Sequence, residues 1–259
     1  MSMIDNNLNA KEILEFYLLS GVDETCGDVA FSQSTDVNPP VNNENKAKYV
    51  ASHLAFDSKV AVESAIDLCD KVSTIEELKE VVENFEGCSL KKMALNTVIG
   101  DGNPKAKIMF IGEAPGADED RIGRAFVGRC GQLLDKMLSS IGLNRDNCYI
   151  CNVLPWRPPG NRTPSDSEIA VCLPFLKKQI EIVEPDIIFA LGAVAVNTLL
   201  DNADSISKLR GKWLEYNTQS GKTIHVMAGY HPAFLLRTPA QKAKAWSDFL
   251  RLKKKIEEK

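Results

Sequence analysis

Four apolar runs in this chain each end in residues that can bind or polarise a ligand. Ile108–Ile111 leads into Gly112-Glu113-Ala114-Pro115-Gly116 and the acidic run Asp118-Glu119-Asp120, with Phe126-Val127-Gly128-Arg129 close behind. Cys148–Cys151 leads into Asn152 and then Arg157-Pro158-Pro159-Gly160-Asn161-Arg162. Ile187–Leu191 leads into Gly192, and Ile224–Ala228 into Tyr230-His231-Pro232. The residue types complement one another. Carboxylates can polarise water, an asparagine amide offers one donor and one acceptor, and an imidazole can donate to developing negative charge. Ligands of open α/β sheets bind at the carboxyl ends of strands, so four such ends in order describe one pocket.

The elements that must position these residues alternate along the chain. Strand Lys107–Ile111 is followed by helix Gly131–Ile141, strand Cys148–Val153 by helix Ser165–Ile182, strand Asp186–Leu191 by helix Ala193–Leu200, and strand Thr223–Met227 by helix Ala240–Ile256. Repeated strand–helix units predict a three-layer α/β/α fold with a mostly parallel, four-stranded central sheet. Upstream, helical patterns cover Ala10–Leu19, Ala51–Asp70 and Thr74–Phe85, and a polar, proline-containing linker covers residues 26–50. The expected organisation is therefore an acidic, mainly helical N-terminal extension over 1–85 and an α/β domain over 86–259 that carries the pocket loops.

Charge divides the chain in the same way. Residues 1–88 carry 6 Lys and Arg against 17 Asp and Glu, a net charge of −11 within an overall −4. The remainder is therefore net basic, which suits a phosphate-backbone partner. The acidic segment does not, and residues 1–84 are expected to be dispensable for chemistry. The polar start of the chain lacks an apolar signal-peptide core and no apolar run reaches the ~20 residues that span a bilayer. A cytoplasmic location with no membrane partner is expected. Seven cysteines at irregular spacing point to reduced thiols rather than a disulfide framework. Cys148 and Cys151 lie three apart in one predicted strand, on opposite faces, and so read as structural thiols rather than a redox or metal pair.

The segments GEAPGADEDRIGRAFVGR (112–129), CNVLPWRPPGNRTP (151–164) and YHPAFLLR (230–237) resemble the loops of family 4 uracil-DNA glycosylases. The resemblance spans roughly residues 88–255. It implies a monofunctional enzyme that flips uracil out of single- or double-stranded DNA and hydrolyses its N-glycosidic bond, acting as a monomer. Phe126 would stack on the flipped base. Asn152 would read O4 and N3–H of uracil, a pattern that cytosine reverses. His231 would donate to O2 as the leaving anion develops, whereas His53 and His225 have no such support. Ala114 stands where other uracil glycosylases place an Asp, which leaves Glu113, and then Glu119, to polarise water or hold the loop. Arg157, Gly160, Asn161 and Arg162 would meet DNA phosphates, and Leu235, Leu236 and Arg237 would form a wedge and phosphate contact. No lysine stands out for strand-cleaving chemistry. The missing Asp also favours a rival reading, a damaged-DNA or abasic-site binding protein with little turnover. A phosphate-loop nucleotide hydrolase is disfavoured by the missing Gly-Lys-Ser/Thr ending.

The resemblance also implies a [4Fe–4S] cluster on four cysteines, and here the chain departs from its pattern. Cys88 and Cys172 match ligand positions, but Lys91 and Trp156 stand at the other two. A cubane cluster normally needs a thiolate on each iron. No cofactor is therefore expected, with Trp156 filling the former cluster volume.

Overall fold

Ile108–Gly112 is apolar on both pleat faces, and every one of its residues is buried or nearly so in the sheet interior. Only a central strand covered on both sides can bury such a run. In the computed structural model, which describes residues 58–258, this strand is β2. It pairs in parallel with β3 (Tyr149–Asn152) on one side and β4 (Ile187–Leu191) on the other. β4 in turn pairs in parallel with β6 (Thr223–Gly229). Two antiparallel edges complete the sheet: β1 (Gly100–Gly102) on β3 and β5 (Trp213–Asn217) on β6. The order is β1-β3-β2-β4-β6-β5. The four parallel strands are those expected from the sequence. The two edge strands were not legible, because Gly-Asp-Gly has poor strand propensity and β5 is only partly buried, with Leu214 and Tyr216 half-covered and Glu215 and Asn217 exposed.

The chain leaves β2 for β3 on one side, then returns past it to β4 on the other. That reversal opens a crevice at the carboxyl end of β2. Helices cover both faces. On one side lie α4 (Arg129–Ser139) and α9 (Lys242–Glu257), with Leu134, Leu138, Phe249 and Leu252 packed on Ile108 and Phe110. The other face, beneath Met109 and Ile111, takes α5 (Asp166–Val183) and α6 (Ala193–Leu200). Helices α1 (58–69) and α2 (Ile75–Asn84) join this same core. A capping box starts α2, with Thr74 Oγ1 accepting from the Glu77 N–H and Glu77 returning to the Thr74 N–H. The shorter helices are α3 (Ala117–Ile122), α7 (Ile206–Leu209) and α8 (Pro232–Arg237), with 3₁₀ turns at Ser89–Lys92, Pro159–Asn161 and Pro239–Gln241. The expected helix Ala10–Leu19 and linker 26–50 lie outside the described residues, as does the first part of helix Ala51–Asp70.

Charge grouped residues 58–85 with the acidic extension, but their packing joins them to the catalytic domain. Leu78 and Val82 are fully buried, and Phe85 lies edge-on to Phe175 at 5.0 Å and stacked against Trp156 at 6.5 Å. Removing residues 1–85 would uncover those rings, so a truncation that spares this core must end upstream of α1. Phe85→Ala is expected to destabilise the protein by about 3–5 kcal/mol, measured by denaturant unfolding. A loss below about 1 kcal/mol would show that α2 is not part of the core.

Candidate active site

The carboxyl ends of β2, β3 and β6 border a cavity of about 430 Å³. Gly112 ends β2 opposite Asn152, which ends β3. The two strands meet there so closely that a Cβ on residue 112 would lie 2.4 Å from Asn152 Oδ1 and 2.5 Å from the Phe126 ring. Glycine is required at this position because a buried amide and an aromatic ring converge on it. Asn152 is 3 % exposed, and its Oδ1 is sealed from solvent and accepts no hydrogen bond among the described residues. Leaving a buried acceptor unpaired costs about 1–3 kcal/mol. A ligand donor entering the cavity would recover that cost.

His231 is the N-cap of α8, and its Nδ1 accepts from the Ala233 N–H at 3.1 Å. Nδ1 is thereby an acceptor, so a neutral ring carries its proton on Nε2. Burial and the nearby Arg237 charge lower the His231 pKa to about 4. The ring is then a neutral Nε2–H donor at physiological pH. It stands 5.7 Å from the Phe126 ring, tilted by 37°. Behind it, the Arg210 guanidinium lies over Tyr230 at 5.4 Å and is held by the buried carboxylate of Asp248. The loop that carries His231 is thus braced from the protein side.

The first loop is fixed by its own carboxylates. Glu119 Oε2 accepts from the Gly116 N–H at 3.1 Å and its Oε1 from the Gly128 N–H at 2.8 Å. With each oxygen accepting from a backbone amide, Glu119 ties the two ends of the loop together while bordering the cavity. Asp120 likewise anchors α3 by accepting from the Leu95 and Asn96 N–H groups. Glu113 differs. Burial raises its pKa, an effect opposed by Arg237, and its carboxylate accepts no hydrogen bond among the described residues. Ala114 borders the cavity beside it.

The remaining expected residues divide. Asn161, Arg162 and Arg237 border the cavity. Arg157 lies behind them, its Nε donating to Asn161 Oδ1 at 2.8 Å, and Gly160 makes the turn between them with a left-handed φ of 62°. The Arg162 charge is already matched by a two-pronged pairing with Glu168, whose pKa falls to about 2. Leu235 is a correction. It is 1 % exposed and packs on Tyr230 and Ala245, so it cannot enter a DNA stack. Leu236 is half-buried and remains available. Phe234, Cys130 and Thr163 border the cavity and were not anticipated. For Phe234 the signal was present: with His231 as N-cap and Pro232 at the first helical position, helical spacing turns Phe234 and Arg237 to one side and Leu235 to the other.

The four positions that the resemblance assigns to cluster ligands hold two thiols, a lysine and an indole. Cys88 and Cys172 are buried side by side, with the Cys172 thiol hydrogen-bonded to Cys88, an arrangement that lowers the Cys88 pKa and raises that of Cys172. Lys91 pairs with Glu86 instead of turning inward. Trp156 is 1 % exposed, donates from Nε1 to Thr97 Oγ1 at 3.0 Å and stacks on Phe85. Cys151 sits inside the sheet with its thiol pKa pushed above its ordinary range by burial. No three His, Cys, Asp or Glu among the described residues are arranged to hold a metal ion.

Comparison with known proteins decides the family. Residues 99–250 match the profile of the uracil DNA glycosylase superfamily. This chain belongs to the uracil-DNA glycosylase superfamily, on its type-4 branch. It is 44 % identical over 169 residues to the type-4 uracil-DNA glycosylase of Thermotoga maritima, covering 63 % of this chain and 86 % of that protein. Type-4 enzymes of Sulfurisphaera tokodaii and Archaeoglobus fulgidus are 41 % and 40 % identical. Each alignment covers 70 % of this chain, with 84 % and 92 % of the respective relatives. The matched stretch contains all four strand-end loops.

The depressed pKa of His231 has a definite sign. The native state binds this proton less tightly than the unfolded chain, so the stability it contributes is present above pH ~6.5. That stability is lost as pH falls from there toward about 4. NMR titration of the ring should show a midpoint near 4 and the Nε2–H tautomer above it. A midpoint near 6.5 would mean that the ring is solvated and not held as a neutral donor.

Proposed function

We propose that this protein excises uracil from DNA by hydrolysing the bond between uracil N1 and the deoxyribose, leaving an abasic site. The observation that carries this reading is the buried, unpaired Oδ1 of Asn152, facing a cavity walled by Phe126 and His231. Uracil N3–H would donate to Oδ1 while the Asn152 amide donates to O4, and a cytosine would leave both contacts mismatched. Phe126 would stack on the ring. As the N-glycosidic bond breaks, its electron pair moves onto the uracil ring and the sugar becomes positive. The His231 Nε2–H would stabilise the charge at O2 without itself titrating.

Glu113 would complete the hydrolysis. With Ala114 beside it and Glu119 engaged by two backbone amides, Glu113 is the cavity carboxylate left to stabilise the positive sugar or to take a proton from the water adding to C1′. Arg157, Asn161, Arg162 and Arg237 would meet phosphates, and Leu236 would fill the vacated stack. We infer a monomer acting on single- or double-stranded DNA in the cytoplasm, a compartment that suits the free cysteines among the described residues. No helix among the described residues is long and apolar enough to cross a membrane. We also propose that the protein works without an iron–sulfur cluster, since Trp156 and the Lys91–Glu86 pair occupy two of the four ligand positions.

The deciding experiment is release of uracil from single- and double-stranded oligonucleotides under steady-state conditions. More than one equivalent per protein supports catalysis; a single equivalent or none would leave only a binding protein. His231→Ala is expected to slow single-turnover excision by about 10²- to 10³-fold, with Asn152→Ala also strongly impaired and both variants folded. Protein purified anaerobically should be colourless and carry no stoichiometric iron. Close to four irons per chain, with a broad visible absorption band, would overturn the reading of the cysteine positions.

A further inference from the structure

We propose that Arg145 is a positioning residue for base excision, clamping the backbone of Phe126 from behind so that the ring keeps its place in the base pocket. The inference rests on Phe126 serving as the base platform. Phe126 has φ 54°, a left-handed conformation that residues with a Cβ adopt only when their surroundings impose it. Two observations identify what imposes it. First, its carbonyl presses on α4 at Gly131, where a Cβ would lie 1.6 Å from Phe126 O. Second, the Arg145 guanidinium donates from Nη1 to Ala125 O at 3.0 Å and from Nη2 to Phe126 O. One side chain thus holds two consecutive carbonyls at the residue whose backbone is strained.

The guanidinium is itself held. Its Nε donates to Asp135 Oδ1 at 3.0 Å, and its Nη1 pairs with Asp101, which also receives Arg124 Nη2 at 3.0 Å. Asp101 lies on β1 and Asp135 on α4, so the clamp is anchored to a strand and a helix rather than to a mobile loop. A planar fork with five N–H groups can serve two carboxylates and two carbonyls together, which an ammonium cannot. Arg145 does not border the cavity. Any effect on chemistry must therefore pass through Phe126 and the turn that carries it.

The test is a double-mutant cycle on the full chain, using single-turnover uracil excision at saturating enzyme. Arg145→Ala is expected to lower the rate by about 10- to 100-fold, while affinity for abasic product DNA, which presents no base to stack, stays within about twofold of wild type. Arg145→Lys should recover only part of the rate. The decisive variant combines Arg145→Ala with Phe126→Ala. If Arg145 acts through the ring, the pair is no slower than Phe126→Ala alone. Asp135→Asn, at a half-exposed side chain, repeats the cycle with a milder loosening of the clamp should Arg145→Ala not fold. Additive losses in either cycle, or a wild-type rate in folded Arg145→Ala, would overturn the proposal. A wild-type protein that releases no uracil would instead defeat the reading of the site. A Phe126→Ala variant with full activity would defeat the platform role.

Discussion

The site depends on one close approach, at the end of β2. Parallel pairing sets Gly112 opposite Asn152, and the missing side chain at Gly112 lets the Asn152 amide and the Phe126 ring reach the same point. A methyl group there would collide with both. This contact converts a general property of α/β sheets, the crevice where strand order reverses, into a pocket with an aromatic wall and a buried amide. His231 arrives from β6 across Gly192, where an added Cβ would be 3.2 Å from the His231 Cβ. Backbone proximity therefore locates all three groups. Their chemistry could not converge if either loop carried an ordinary side chain.

Carboxylates around the pocket are mostly committed to holding loops. Glu119 bridges Gly116 and Gly128, Asp120 holds residues 95 and 96, and Asp248 braces Arg210 behind Tyr230. Such buried charges persist because each accepts hydrogen bonds from groups that would otherwise be unpaired. The contrast makes Asn152 and Glu113 informative. Neither Asn152 Oδ1 nor either side-chain oxygen of Glu113 accepts a hydrogen bond among the described residues, whereas the buried acids Glu119, Asp120 and Asp248 all do. Of the fully buried side-chain atoms left unpaired among the described residues, Asn152 Oδ1 is the one that borders the cavity, so the loops around it are pre-organised for a ligand that supplies the missing donor.

What could be read from the sequence follows from the range of the interactions involved. Strands β2, β3, β4 and β6 were legible because continuous apolar runs bounded by glycine and polar residues are a local signal. That Asn152, Phe126 and His231 line one cavity was legible because each stands at the end of such a run or within a segment resembling known loops. Leu235 was misread since its direction depends on where α8 begins, and adjacent leucines in a helix face different sides. The attachment of residues 58–85 was misread because surface charge dominates their composition, while a few residues such as Leu78, Val82 and Phe85 decide their packing. Arg145 gave no signal at all. Its partners lie 10 to 44 positions away, and only the folded backbone brings Asp101, Ala125 and Asp135 around it.

Around Trp156 the segments that carry the four ligand positions pack on one another. The resemblance places cluster ligands before β1, just ahead of Arg157 and in α5, so that a cluster would cross-link three separated stretches of chain. Here those stretches meet through apolar contact: Phe85 stacks on Trp156 and packs edge-on to Phe175, with Cys88 and Cys172 filled in beside them. Burying an indole and two phenyl rings contributes several kcal/mol at roughly 25 cal/mol per Å², and the Trp156 N–H is satisfied by Thr97. Trp156 follows Asn152 by only four residues along the chain. It fixes the start of the Arg157–Arg162 loop relative to β3. Packing of this kind needs Phe85, and hence α2, which gives the chain a reason to keep an acidic helix on a protein whose partner is an acidic polymer.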